Sequence, residues 1–331
     1  SHAQTLRSFE VWGETVGLRA GDRYLIVNPF FHSFGYKAGW LACLLRGAIA
    51  CPVAAFDAEE VMRRIEAERI TVLPGPPTLF QSLLDAPDRA RHDLSSLRLA
   101  VTGAASVPPV LIRRMREELG IPEVVTAYGL TEACGVVTIT HAGDPPELIA
   151  ESCGTPIPGV EVRLIDPSGD DVAQGEPGEL LVRGFNVMKG YLDDPESTAK
   201  TIDADGWLHT GDIATQDARG YLRITDRAKD MFICGGFNCY PAEIEALIAE
   251  HPAVARVAVV GRPDVRMGEV AHAVVVPRPG AETDSEAFLR WCRATMANYK
   301  APRSVEWVDA LPLNASGKIQ RFLLKERVVS D

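Results

Sequence analysis

A chain of 331 residues, 46% hydrophobic and 24% charged, is long enough for two domains, the larger with a sizeable core. Its formal charge of −11 argues against a nucleic-acid backbone as partner. No apolar run reaches transmembrane length, because the stretch from Trp40 to Val53 is broken by Arg46 and Pro52.

No signal peptide is expected at the start of the chain. The seven cysteines are scattered without C-x-x-C spacing and read as reduced, mostly buried thiols, so the cytoplasm is the expected compartment. Ser1 to Trp12 reads as a helix that begins abruptly, as in a fragment or cleaved product. Tyr24-Leu-Ile-Val is a buried strand, and the loop Asn28-Pro-Phe-Phe-His-Ser-Phe-Gly35 sets His32 among aromatics. Taken alone, His32 is a packed loop histidine. From Gly35 to Val53 an apolar helix leads through Gly47 into a strand. Asp57 can cap a helix running to Arg69, and Thr71-Val-Leu-Pro-Gly is a strand and turn. A helix from Pro77 to Leu84, a strand from Leu97 to Gly103, a helix from Val110 to Leu119 and a strand from Val124 to Ala127 complete the series. Alternation at this spacing predicts an α/β layer with a largely parallel sheet, in which ligands gather at the carboxyl ends of strands.

Two strands end in loops of that kind. Val101-Thr-Gly103-Ala104-Ala105-Ser-Val-Pro is small enough to let a flat ligand reach the backbone. In Thr126-Ala-Tyr128-Gly129-Leu-Thr131-Glu132-Ala-Cys-Gly135, Tyr128 offers a stacking face, Thr131 a hydroxyl for phosphate and Glu132 a hard oxygen ligand for Mg2+. The bland reading of that loop is a strand-to-helix turn with Thr131 and Glu132 at the helix start.

After about Ser152, short alternating strands at Val160 to Ile165 and Gly178 to Arg183 predict an antiparallel barrel or sheet. Met188-Lys-Gly-Tyr and a short helix follow. Asp212 and Arg227 are residue types that can grip a ribose, one accepting from its hydroxyls and the other donating to them. Asp226 to Asp230 by itself is a solvated turn of alternating charge. A smaller α+β unit follows. Pro241 opens a helix, strands run over Arg256 to Val260 and Ala271 to Val276, and Thr283-x-x-Glu286 is a capping box for a helix ending near Met296. A strand at Val305 to Val308 leads to Asn314-Ala-Ser-Gly-Lys318.

Together, in this order, Pro29-Phe-Phe-His, Tyr128-Gly-Leu-Thr-Glu, Gly178-Glu-Leu-Leu-Val-Arg-Gly, Trp207-Leu-His-Thr-Gly-Asp, Asp226-Arg-x-Lys, Gly235-Gly-Phe-Asn, Pro241-x-Glu-Ile-Glu and Asn314-x-Ser-Gly-Lys resemble the motifs of the AMP-forming acyl-CoA synthetases. Luciferases and peptide-synthetase adenylation domains share that superfamily. The resemblance covers nearly the whole chain. It implies a large α/β domain with a parallel sheet and a small β-barrel subdomain, here residues 1–226, followed by a small mobile α+β domain, residues 227–331, with a hinge near Lys229.

The implied reaction has two halves, formation of an acyl-adenylate from ATP and transfer of the acyl group to coenzyme A. By the family pattern Tyr128 stacks on adenine, while Gly103, Ala104, Ala105 and Gly129 line the nucleotide and acyl pockets. Thr131 contacts phosphate, Glu132 holds Mg2+, and Asp212 and Arg227 hold the ribose. Lys318 bridges the acyl carboxylate and the α-phosphate, with His32 beside them, and Gly235 and Gly236 line the passage for the CoA thiol. The family's phosphate loop belongs upstream of the His32 motif, and nothing from Ser1 to Gly35 fits it. These residues are therefore expected to be the C-terminal part of the large domain with the small domain, inactive alone although the parent is an acid–thiol ligase.

The loop Phe30-Phe-His32 lacks the aspartate with which amino-acid activators commonly pair a substrate ammonium, which favours a non-amino, hydrophobic acid. The wall residues Gly103, Ala104, Gly129 and Ala133 are small, which suits a fatty acid or a ring-containing acid. The expected partners are thus a small carboxylic acid, ATP and CoA, without integral membrane association; a homodimer stays open. Two alternatives remain at this stage. One is an adenylation enzyme that loads a carrier protein. The other is a non-catalytic nucleotide-binding or interaction module.

Overall fold

The computed structural model describes residues 1–103, 107–227, 230–235, 237–314 and 319–330, with the side chains of 226, 227, 238, 329 and 330 also outside the description. The chain divides into two compact units. The first holds residues 1–210 and 214–224, the second residues 211–213 and 225 onward.

The first unit is built on a seven-stranded sheet. Its strands are β1 (Arg23–Ile26), β2 (Ile49–Pro52), β3 (Val72–Pro74), β4 (Leu99–Gly103), β5 (Glu123–Tyr128), β6 (Thr138–Ile139) and β7 (Thr155–Pro156), in the order β2-β1-β3-β4-β5-β6-β7. The pairs from β2 to β5 are parallel, and β5–β6 and β6–β7 are antiparallel. Successive residues of one strand enter different cores. Tyr24, Ile26, Val72, Leu99, Val101 and Val125 face one, whereas Leu25, Leu73, Ala100 and Val124 face the other. Both faces are covered, as a parallel sheet with crossover helices requires, which is why these strands read as continuous apolar runs.

The helix Ala58–Glu68 presents Val61, Met62 and Ile65 to the second core, and Pro109–Glu117 presents Leu111, Ile112 and Met115. Asp57 caps the former, accepting from the Glu60 amide at 2.9 Å. The helices Pro77–Leu84, Pro109–Glu117, Pro146–Glu151, Pro195–Thr201 and Pro241–Ile248 all begin at proline, where no amide is missed and φ is already helical. The first core is closed by Phe9 and Trp12 of the helix His2–Thr15 and by the second sheet. That sheet is an antiparallel half-barrel of β8 (Val160–Ile165), β9 (Gly178–Gly184), β10 (Leu208–Gln216) and β11 (Leu222–Arg227), ordered β11-β10-β9-β8. It is the expected antiparallel subdomain.

The second unit is α+β. Its strands are β12 (Phe232–Cys234), β13 (Phe237–Cys239), β14 (Val254–Asp264), β15 (Gly268–Pro277) and β16 (Ser304–Trp307). The β14–β15 ladder runs from Val254↔Pro277 to Asp264↔Gly268, well beyond the apolar stretches expected from sequence. The apolar run ends at Val260, and pairing along β15 carries the strand on through Arg262, Pro263 and Asp264. Val259, Ala273 and Val275 face a core shared with the helices Pro241–Ile248 and Ser285–Thr295; Ala258, Val260 and Val274 face Leu324 of the helix Arg321–Ser330.

The expected capping box at Thr283 is corrected. The cap is Asp284, whose carboxylate accepts from the amides of Glu286 and Ala287 at 2.9 and 3.0 Å. A carboxylate one residue nearer the helix is the better acceptor for its first orphan amides. All seven cysteines are free thiols, and all but Cys153 are fully buried. Among the described residues no helix is long and apolar enough to cross a membrane.

Candidate active site

The turn after β5 is the centre of the site in the first unit. β4 and β5 run in register with Gly103 opposite Ala127, so both strands deliver their carboxyl ends to one edge. A Cβ on Gly103 (φ +154°) would stand 2.7 Å from the Ala127 carbonyl oxygen, and only glycine admits that approach. Beyond Tyr128 the chain folds back on itself. The Leu130 carbonyl accepts from the amides of Ala133 and Gly135, at 3.1 and 2.8 Å, and the Val137 amide donates to the Tyr128 carbonyl at 2.9 Å. A Cβ on Gly129 would lie 2.3 Å from the Gly135 carbonyl oxygen, so a glycine there is a condition of the turn.

At the apex is the 3-10 turn Thr131–Ala133, followed by Cys134 in the left-handed region at φ +57°. A non-glycine residue there stores local strain, which marks a turn over-determined by its surroundings. Thr131 is exposed and Glu132 half-buried. Ala133 corrects an expectation. It is fully buried in the core and is no surface-accessible part of an acyl pocket wall; the tight turn points it inward.

Two other segments grip this turn. From the helical segment just after the His32 loop, Lys37 donates its ammonium to the Cys134 carbonyl at 3.2 Å, and within the loop Ser33 stands 3.1 Å from where a Cβ on Gly135 would fall. From the segment after β9, the buried Asn186 donates to the Val136 carbonyl at 2.8 Å. The Met188 amide donates to the Glu132 carbonyl at 2.7 Å, and the Tyr191 hydroxyl to the Glu132 carboxylate at 2.9 Å. Burial, and then the neighbouring Glu132 carboxylate, push the Tyr191 phenol above its ordinary range. Sequence reading passed over Lys37, Asn186 and Tyr191 as site residues, because nothing in their local patterns says that three distant segments meet.

His32 caps the short turn Ser33–Gly35, its Nδ1 accepting from the Phe34 amide at 3.2 Å. An accepting Nδ1 puts the proton of the neutral ring on Nε2. Tyr128 is half-buried and packs against the first core. Asp212 is a buried residue of β10, next but one to Thr210, whose hydroxyl ties β10 to the Leu180 carbonyl of β9 at 2.7 Å. The backbone of Arg227 closes β11. Gly235 has φ +59° and follows Cys234, which pairs with Phe237 in the β12–β13 hairpin, and its amide donates to the Met267 carbonyl at 2.8 Å. Positive φ at that position is what a tight hairpin asks of glycine, so turn geometry alone accounts for it. Ala104, Ala105, Lys229, Gly236, Lys318 and the side chain of Arg227 lie outside the described residues. The chain flanking 314–318 pairs as an antiparallel bridge, Leu313 with Ile319, and Arg321 follows at once.

Comparison with known proteins agrees with this geometry. Residues 1–192 match the AMP-binding enzyme family, and residues 243–318 match the AMP-binding enzyme C-terminal domain. The chain is 55% identical, over 326 residues, to the 3-[(3aS,4S,7aS)-7a-methyl-1,5-dioxo-octahydro-1H-inden-4-yl]propanoyl:CoA ligase of Rhodococcus jostii (strain RHA1), covering 98% of this chain and 61% of that protein. Among solved structures, ATP-bound MatB from Rhodopseudomonas palustris superposes with a TM-score of 0.89 at 32% identity, covering 98% of this chain and 64% of that one. The amide bond synthetase McbA from Marinactinospora thermotolerans gives 0.88 at 32%, with 98% and 66% covered. The chain spans about three fifths of the length of the curated relatives it matches. With the parallel sheet, the half-barrel and the turn after β5 in place, the chain belongs to the AMP-binding, adenylate-forming enzyme family of the acyl-CoA synthetases and adenylation enzymes.

Proposed function

We propose that this chain supplies the adenylating site and the small domain of an acid–thiol ligase that activates a ring-containing, non-amino carboxylic acid with ATP and passes the acyl group to CoA. The observation that carries the reading is the turn Tyr128–Gly135, held at the carboxyl ends of β4 and β5 by the His32 loop and the Asn186–Tyr191 segment. In the first half-reaction a substrate carboxylate oxygen attacks the α-phosphorus, and pyrophosphate leaves with the electrons of the broken P–O bond. In the second, the CoA thiolate attacks the acyl carbon and AMP departs.

In this reading the Tyr128 ring stacks on adenine, and the hydroxyl of the exposed Thr131 meets phosphate. Asp212 and Arg227 take the ribose hydroxyls. Lys318 places an ammonium between the two anions that must meet, and His32 supplies a donor beside them. The donor set suits Mg2+. Glu132 is a single half-buried carboxylate with one oxygen on Tyr191, and Mg2+ is usually held by one or two carboxylates together with substrate phosphates. When bound, the ion neutralises phosphate charge. Residues 1–226 and 227–331 as two domains with a hinge at Lys229, and Gly235 and Gly236 beside the thiol, belong to the same reading.

The choice of acid rests on the 55% identity to a ligase whose substrate is a propanoate on a fused two-ring system. The test is pyrophosphate release by the full-length protein against a panel of acids. Two-ring propanoates should outrank fatty acids of equal carbon number by at least about tenfold in kcat/KM, roughly 1.4 kcal/mol. A preference for straight chains sinks the substrate assignment. The likeness to an amide bond synthetase supports a second reading, in which an amine accepts the acyl group. Supplying CoA and then a panel of amines to preformed acyl-adenylate separates the two.

A further inference from the structure

We infer that Tyr191 is the positioning residue of Glu132, holding its carboxylate in the orientation from which the free oxygen binds the nucleotide's divalent cation. The inference rests on the reading of Glu132 given above.

The physical argument starts from the chain around Tyr191. Asp194 caps the helix Pro195–Thr201, accepting from the Ser197 amide at 2.9 Å. The Thr198 hydroxyl in that helix donates to the Asp194 carbonyl at 2.8 Å and accepts from the Tyr191 amide at 2.9 Å. Gly190 lies so close that a Cβ on it would stand 2.7 Å from the Thr198 methyl. The backbone of Tyr191 is therefore fastened to a capped helix, and its ring projects from a fixed base. At the other end of the ring the hydroxyl reaches Glu132 at 2.9 Å, while the Met188 amide holds the Glu132 carbonyl at 2.7 Å. One short segment thus grips Glu132 by backbone and by side chain.

A glutamate has three side-chain torsions to immobilise before it can serve as a ligand. A fixed phenol that donates to one carboxylate oxygen removes most of that freedom beforehand. It also leaves the second oxygen as the acceptor for a cation. Partners of this kind, one bond removed from the ion, set ligand orientation, and losing one typically weakens metal affinity by about 10- to 100-fold. Tyr191→Phe keeps the ring and removes the hydroxyl, which donates to Glu132 and also meets the Thr201 side chain.

The experiment titrates Mn2+ into the full-length protein saturated with a non-hydrolysable α,β-methylene ATP analogue and counts free Mn2+ by electron paramagnetic resonance. Tyr191→Phe should bind the ion about tenfold or more weakly than the unaltered protein. With ATP as substrate, the Mg2+ concentration for half-maximal pyrophosphate release should rise by a similar factor, and the rate at saturating Mg2+ should return to near the original. A residue that merely supports the fold would lower the rate at all Mg2+ concentrations and would leave Mn2+ affinity alone. Thr198→Ala, which frees the Tyr191 backbone, should move Mn2+ affinity in the same direction by a smaller factor. Glu132→Gln is the reference. If Glu132→Gln weakens Mn2+ binding while Tyr191→Phe stays within twofold of the unaltered protein, the positioning role is overturned and the ligand role stands. If Glu132→Gln leaves Mn2+ affinity unchanged, the reading of Glu132 as ligand falls, and the positioning role with it.

Discussion

Arg321 donates from one guanidinium nitrogen to both carboxylate oxygens of Glu245, at 2.8 and 2.6 Å. Glu245 also accepts from the Val259 amide at 2.7 Å, and Asp230 approaches Arg321 at 3.7 Å. A single half-buried pair therefore ties the helix Pro241–Ile248, the centre of β14 and the start of the final helix, three residues past Lys318. Removing one partner of such a pair strands the other charge, at about 3 kcal/mol. Arg321→Ala should accordingly speed hydrogen–deuterium exchange across Arg321–Ser330 by about 100-fold, the equivalent of that energy. Unchanged protection of that helix would show that Leu324 and its apolar neighbours hold it without the ion pair.

Asp22 and Arg98 form the corresponding pair in the first unit. The Asp22 carboxylate is buried and accepts from Arg98, from the Thr71 hydroxyl at 2.8 Å and from the Arg19 amide at 2.7 Å, tying together the approaches to β1, β3 and β4. Burial pushes this carboxyl up, but the Arg98, Arg19 and Thr71 hydrogen bonds outweigh it and hold the group below its ordinary value of 3.8. A depressed folded-state pKa means stability that is present above the unfolded value and is lost as pH falls through the folded one. Asp22→Asn should therefore destabilise the chain by about 3 kcal/mol near pH 7. In denaturant titrations its deficit should shrink as pH drops below about 4; a deficit that is constant with pH would contradict the sign argued here.

Gly129→Ala tests the turn itself. The added methyl would meet the Gly135 carbonyl at 2.3 Å and the Val136 nitrogen at 2.6 Å, both backbone atoms that cannot swing aside. Overpacking of this kind costs about 1–3 kcal/mol. The full-length protein should lose acyl-adenylate formation by at least about 100-fold, since the turn presents Thr131 and Glu132. Normal adenylation would mean that the turn is more plastic than its hydrogen bonds suggest.

Lys318→Ala should separate the half-reactions. Loss of one electrostatic contact to a transition state lowers a rate by about 100- to 1,000-fold, so single-turnover acyl-adenylate formation should fall by that factor. Conversion of synthetic acyl-adenylate and CoA to thioester should continue near the unaltered rate. Failure in both assays would make Lys318 structural, and failure in neither would remove it from the chemistry.

Gly235→Asn separates a role in the turn from one in thioester formation. At φ +59° asparagine is tolerated better than alanine or leucine, and its Cβ would press on the flexible end of the Met267 side chain, which can move, so Gly235→Asn adds a side chain at the proposed thiol passage with the least strain on the turn. It should slow thioester formation by at least about tenfold and leave adenylation unchanged. Equal loss in both half-reactions would assign the glycine to the turn alone.

What the sequence determined by itself was local chemistry and its order. The Asp57 cap, the helix starts at Pro77 and Pro241, each apolar run and each motif between Pro29 and Lys318 are encoded within a few neighbouring residues. Each was legible because its physical cause is equally short-ranged. The tertiary structure decided what depends on distant partners. Arg262 to Asp264 becomes strand only because β15 lies alongside. Ala133 turns inward because Gly129 lets the turn close on Gly135. The grip of Lys37, Asn186 and Tyr191 on one loop rests on hydrogen bonds between residues 97, 50 and 59 apart. Hydrogen bonds across such separations leave no periodicity in the chain, because the energy that selects them arises only after the sheet and its two cores have brought the segments together.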